Sequence, residues 1–121
     1  MTIYRIDNAT LGESHMAQTL LTLALRKGWR VIHKSEEGTF IALGEKKYLG
    51  LVPFLNATGE DIIHFANDPI GNIGWVQLIW GNEADGTCLI ADHADNEEIN
   101  RLVEAAQEDH EVWVSEIFNY P

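Results

Sequence analysis

Residues 10–34 read TLGESHMAQTLLTLALRKGWRVIHK, and this stretch decides the fold class. Thr10 and Glu13 stand three apart, the spacing of a capping box in which a hydroxyl and a carboxylate satisfy amide groups at a helix start. Met16, Ala17, Leu20, Leu21, Leu23 and Ala24 follow as one apolar stripe at helical spacing. Arg26 and Lys27 suit the negative end of the helix dipole, and Gly28 is a natural residue just past a helix end. A helix over 11–27 is therefore expected. Beyond the glycine the pattern changes, and WRVIHK at 29–34 reads as a strand.

Working outward, TFIAL (39–43) and KYLGLV (47–52) read as further strands, joined by links short enough for hairpins. Pro53 cannot donate to a ladder and ends that antiparallel meander. TIYRI (2–6) reads as a short leading strand, EDIIHFA (60–66) as a short helix, and NDPIGNIG (67–74) as a turn-rich loop. WVQLIW (75–80) and TCLIA (87–91) are strands flanking an Asp85-Gly86 turn signal. Asp95, with Glu98 three residues on, caps a second helix over 96–108 whose core face is Ile99, Leu102, Val103 and Ala106. EVWVS (111–115) reads as a last strand. The expected architecture is α+β: a single domain over 1–121, with a mostly antiparallel sheet of about five to seven strands and two main helices, about 11–27 and 96–108.

A length of 121 residues and an apolar content of 45% suffice for one domain with a real core. Cys88 is the only cysteine and cannot form an internal disulfide, so a reducing, cytoplasmic location is expected. Residues 1–9 are too polar for a signal peptide, and no apolar run approaches the ~18 residues needed to span a bilayer.

The charge is divided very unevenly. Residues 1–60 hold seven bases and six acids, whereas 61–121 hold thirteen acids and one base, Arg101. Eleven of those acids lie between Glu83 and Glu116. Asp85 is explained as a turn residue, Asp95 as a cap, and Glu97 and Glu98 by the positive end of the dipole. Glu104 and Glu108 stand four apart, where like charges cost about 0.2–0.5 kcal/mol. With a helix ending at 108, Glu108, Asp109 and Glu111 also crowd the end that prefers bases. A local rule broken without compensation is where functional pressure is expected.

Carboxylates on one helix face lie about 5–6 Å apart, against about 3.4 Å of axis per phosphate in one DNA strand. A groove lined by Lys and Arg would be attracted to such a face without reading any base. In size and in its 83–116 acid run the chain resembles small acidic nucleic-acid mimics of phages and mobile elements, such as anti-restriction and anti-CRISPR inhibitors. No motif carries the resemblance.

Other constellations are weaker. Asp92, His93 and Cys88 offer an enzyme or ligand-domain alternative, with His110 as a further candidate neighbour. Alternation along an extended segment separates Asp92 from His93, and Cys88 among apolar residues reads as a buried thiol. Ser14 and His15 diverge by about 100° on a helix and cannot work as nucleophile and base. Gly71-Asn72-Ile73-Gly74 has the GXXG form of an RNA clamp, but no base lies between 48 and 100 to hold phosphate. Trp75 and Trp80 fall on opposite faces of one strand, which leaves a homodimer built on tryptophan faces as a structural alternative.

The sequence therefore implies a non-enzymatic protein with no cofactor, no metal, and no direct nucleic-acid or membrane binding. Its expected partner is a basic protein surface, above all that of a nucleic-acid-binding protein, a nuclease neutralised by an immunity protein or antitoxin included. The expected contact residues are Asp92, Asp95, Glu97, Glu98, Glu104, Glu108, Asp109 and Glu111.

Overall fold

A computed structural model describes residues 3–34, 40–43, 55, 57–67 and 71–117. Along the chain these form α1 (Leu11–Arg26), β1 (Arg30–Lys34), β2 (Phe40–Leu43), β3 (Glu60–Asn67), β4 (Gly71–Ile79), β5 (Ile90–His93) and α2 (Glu97–Ile117). The strands make one antiparallel sheet in the order β2-β1-β3-β4-β5. The fold is α+β.

The sheet buries one face against both helices. Val31 of β1 stands opposite Phe65 of β3, and Ile63 opposite Val76 of β4, so these side chains share a face. They join Leu78, the α1 residues Met16, Leu20 and Leu21, and the α2 residues Ile99, Leu102 and Ala106 in one core. Helix α2 lies close on β4 because Gly74 has no side chain; a Cβ there would come within 2.5 Å of Ile99.

α1 starts as its sequence demands. Glu13 N–H donates to the Thr10 hydroxyl (3.1 Å) and Thr10 N–H to the Glu13 carboxylate (3.0 Å), which completes the capping box. The second Glu13 oxygen accepts from Gly81 N–H at 2.7 Å, and the Thr10 hydroxyl donates to the Ala84 carbonyl at 2.7 Å. The β4–β5 connection is thereby held against the first turn of α1, with Gly12 and Gly86 in backbone contact. A Cβ on Gly86 would meet the Gly12 carbonyl oxygen at 2.3 Å, and Gly86 also has φ +79°. Gly86→Ala is therefore expected to lower stability by more than about 2 kcal/mol, through a strained dihedral and a backbone clash together. Denaturant unfolding of the two proteins measures it.

Several expectations are corrected. Of the seven strands read from the sequence, 29–34, 39–43, 75–80 and 87–91 are found, with shifted limits; 47–52 lies outside the described residues. Residues 3–6 form no strand. The expected helix at 60–66 is β3, a strand whose alternation runs through a buried Asp61. The expected strand at 111–115 is helix, because α2 does not stop at 108 and continues to Ile117. His110 explains this continuation: it falls on the same buried stripe as Ile99, Leu102, Val103 and Ala106. The cap of α2 is one residue later than expected. Ile99 N–H donates to Asn96 Oδ1 at 2.9 Å, while Asp95 accepts from Asn100 at 3.1 Å, so no Asp95–Glu98 capping box forms. Among the described residues no helix is long and apolar enough to cross a membrane.

Candidate functional site

Twenty-one residues of α2 span about 31 Å at 1.5 Å per residue. Its apolar stripe faces the core, which fixes where its acids go. At about 100° per residue, Glu97, Glu104, Glu108 and Glu111 fall in a sector of roughly 60° opposite that stripe. All four are exposed. Glu98 and Asp109 lie on one flank, and Asp109 borders a groove against α1. Asp92 and Asp95 are exposed but precede the helix. The eight nominated acids thus resolve into an outward row, a flank pair and two residues off the helix.

Arg101 is engaged with Glu97, four residues away and equally exposed. Among the described residues no ion pair neutralises Glu98, Glu104, Glu108, Asp109 or Glu111. Val112, 60% exposed, sits between the outward row and the flank as an apolar spot with an acidic border. Glu108, Asp109 and Glu111 lie in the interior of α2 and not at its C-terminal end, so no dipole penalty singles them out. What persists is like charge at 104/108 and 108/111, each costing about 0.2–0.5 kcal/mol, and a last turn that contains Glu116 and no base.

The inner side of α2 carries a group that sequence reasoning missed. His110 Nδ1 lies 2.8 Å from His15 Nδ1 of α1, and both rings are buried. His110 Nε2 is 2.7 Å from the Asp85 carbonyl oxygen, which can only accept, so that nitrogen carries the proton. The neutral ring then leaves Nδ1 of His110 as acceptor, and His15 Nδ1–H as donor. Trp113 stacks on His15 with ring centres 4.2 Å apart and planes 7° apart. Burial and the neighbouring His110 lower the His15 pKa to about 4, and burial also lowers that of His110. Both rings are neutral at pH 7. A separation of 95 residues hides this pair from any local pattern.

A second buried polar cluster centres on Asp61 of β3. Asp61 accepts from His33 Nε2 (2.7 Å), Trp80 Nε1–H (2.8 Å) and Ala57 N–H (3.2 Å). Each carboxylate oxygen is occupied, which makes Asp61 an anchor rather than a free base.

The residues of the enzyme alternative do not assemble. The Asp92 carboxylate accepts from His93 N–H at 2.9 Å, and His93 Nδ1 donates to the Ala94 carbonyl at 3.0 Å, both local contacts. His110 faces His15, not His93. Cys88, expected to be buried, is exposed, and Glu83 beside it is the main cause that raises its thiol pKa. Among the described residues no three His, Cys, Asp or Glu side chains converge to hold a metal.

No known protein family matches the chain, and no curated protein or solved structure does either.

Proposed function

We propose that this chain is a non-enzymatic binding protein that presents the acidic face of α2 to a basic surface on another protein. The observation that carries this reading is the exposed row Glu97, Glu104, Glu108 and Glu111, about 21 Å long and nearly uncompensated. Such a field speeds encounter with a positive surface and fixes its orientation. Val112 adds the apolar centre that a charged rim needs to form a stable contact. In its sharper form the partner is a nucleic-acid-handling protein, and the row occupies the groove that otherwise holds a phosphate backbone. The axial steps of about 6 Å (104 to 108) and about 4.5 Å (108 to 111) are within a factor of two of the phosphate repeat. Asp92, Asp95, Glu98 and Asp109 widen the same field.

The test is affinity capture from cells with the native chain and with Glu104→Lys/Glu108→Lys/Glu111→Lys. A basic nucleic-acid-binding protein should be retained by the native chain, released by added duplex DNA and by about 0.5 M salt, and lost by the variant. The variant exchanges the two Glu–Glu pairs for Lys–Lys pairs at the same exposed positions and should melt within a few degrees of the native chain. A partner held equally by both chains, or insensitive to salt, overturns the reading.

A further inference from the structure

A groove of about 280 Å³ runs between α1 and α2, lined by His15, Thr19, Leu23 and Arg26 on one wall and Asp109 and Val112 on the other. Two polar atoms of its lining residues make no hydrogen bond to the described residues. The hydrogen-bond order Asp85 carbonyl, His110, His15 places a bare lone pair on His15 Nε2, which makes no hydrogen bond to the described residues. One turn further along the same α1 face, the Thr19 hydroxyl is buried and has no hydrogen-bond partner among the described residues. A buried hydroxyl left unpaired is costly and uncommon in folded proteins.

The groove also has a direction. Arg26 stands at its far end, three turns from His15 along α1. Leu23 and Val112 supply apolar walls between the two ends. Asp109 adds one negative charge, which disfavours a ligand of charge −2 more than one of −1.

We propose that this groove binds a small monocarboxylate that carries a hydroxyl group at its other end. The ligand hydroxyl donates to His15 Nε2 and accepts from the Thr19 hydroxyl, the carboxylate accepts from Arg26, and a flat apolar body lies against Leu23 and Val112. The relay through His110 to the Asp85 carbonyl keeps His15 in the one tautomer that leaves Nε2 free to accept. The groove shares Asp109 and Val112 with the partner-binding face but not Glu104, Glu108 or Glu111, so the charge-reversal variant tests that face and the analogue series tests the groove.

The experiment is a titration of ¹⁵N-labelled chain with 4-hydroxyphenylacetate as probe, reading the His15 side-chain nitrogens and the backbone amides of α1 and α2. Saturable binding below about 1 mM is expected, with the change centred on His15 Nε2. Phenylacetate, which lacks the hydroxyl, and p-cresol, which lacks the carboxylate, should each bind about tenfold more weakly. Thr19→Val and Arg26→Gln should each weaken the probe by about the same factor. The analogue series needs no variant and so remains decisive if one of these fails to fold. No saturable shift at His15, or equal binding of phenylacetate and the probe, overturns the proposal and leaves a groove filled by water only.

Discussion

Replacing Asp61 by alanine is expected to lower stability by about 3–5 kcal/mol, a large share of the 5–15 kcal/mol typical of a domain. The reason is the number of donors left behind. His33 Nε2, Trp80 Nε1–H and Ala57 N–H all converge on this carboxylate, which is 2% exposed. Water cannot easily reach the space to replace them, so each orphaned donor adds its own desolvation cost. Asp61→Asn, which keeps an accepting oxygen and the volume, should lose clearly less. Trp80→Phe, which removes one donor and leaves the carboxylate otherwise bonded, should lie between Asn and the native chain. Chemical denaturation at pH 7 orders the three variants. A loss below about 1 kcal/mol for Asp61→Ala would mean that the cluster contributes nothing beyond packing.

The second large effect is a fall in stability on mild acidification, and its sign follows from the lowered histidine pKa values. Between an unfolded value near 6.5 and a folded value of about 4, the unfolded chain binds a proton at His15 that the folded chain refuses. Stability is therefore fully present above pH 6.5 and declines as pH falls toward 4. For His15 alone the full decline is about 3 kcal/mol, with His110 adding in the same direction. Geometry enforces the same sign: two protonated rings would set N–H against N–H across 2.8 Å. Carboxylates also titrate at the acid end of this window, so the informative quantity is the difference between the native chain and His15→Gln. The native melting temperature should drop between pH 7 and pH 5 more steeply than that of the variant. Parallel profiles would refute the assignment.

Local rules were legible where they were uninterrupted. The capping box at Thr10, the stripe from Met16 to Ala24 and the stop at Gly28 all depend on neighbours in the chain, and α1 follows them to within a residue. The β1–β2 hairpin was equally local. β3 was misread because its inward row begins with a carboxylate; Asp61, Ile63 and Phe65 do alternate, but a buried Asp hides the alternation until its three donors are known. The end of α2 was misread for a related reason. Asp109, His110 and Glu111 look like a polar break, and EVWVS is rich in strand formers, yet His110 and Trp113 are called inward by His15 on the other helix. In both cases a distant partner outweighed local preference. The acidic face itself was visible from composition, but its division into an outward row and a flank needed the true length of α2.

The sheet order has a consequence for how this protein meets others. Among the described residues its last strand, β5, is a sheet edge only four residues long, and its pairing with β4 is broken by a bulge between Gln77 and Leu78. Such an edge invites strand-to-strand addition and aggregation unless it is short, irregular or charged. β5 is all three, since Asp92 is exposed in its middle. Asp92 therefore guards the sheet edge as well as extending the negative field, and association through backbone ladders is disfavoured on this side.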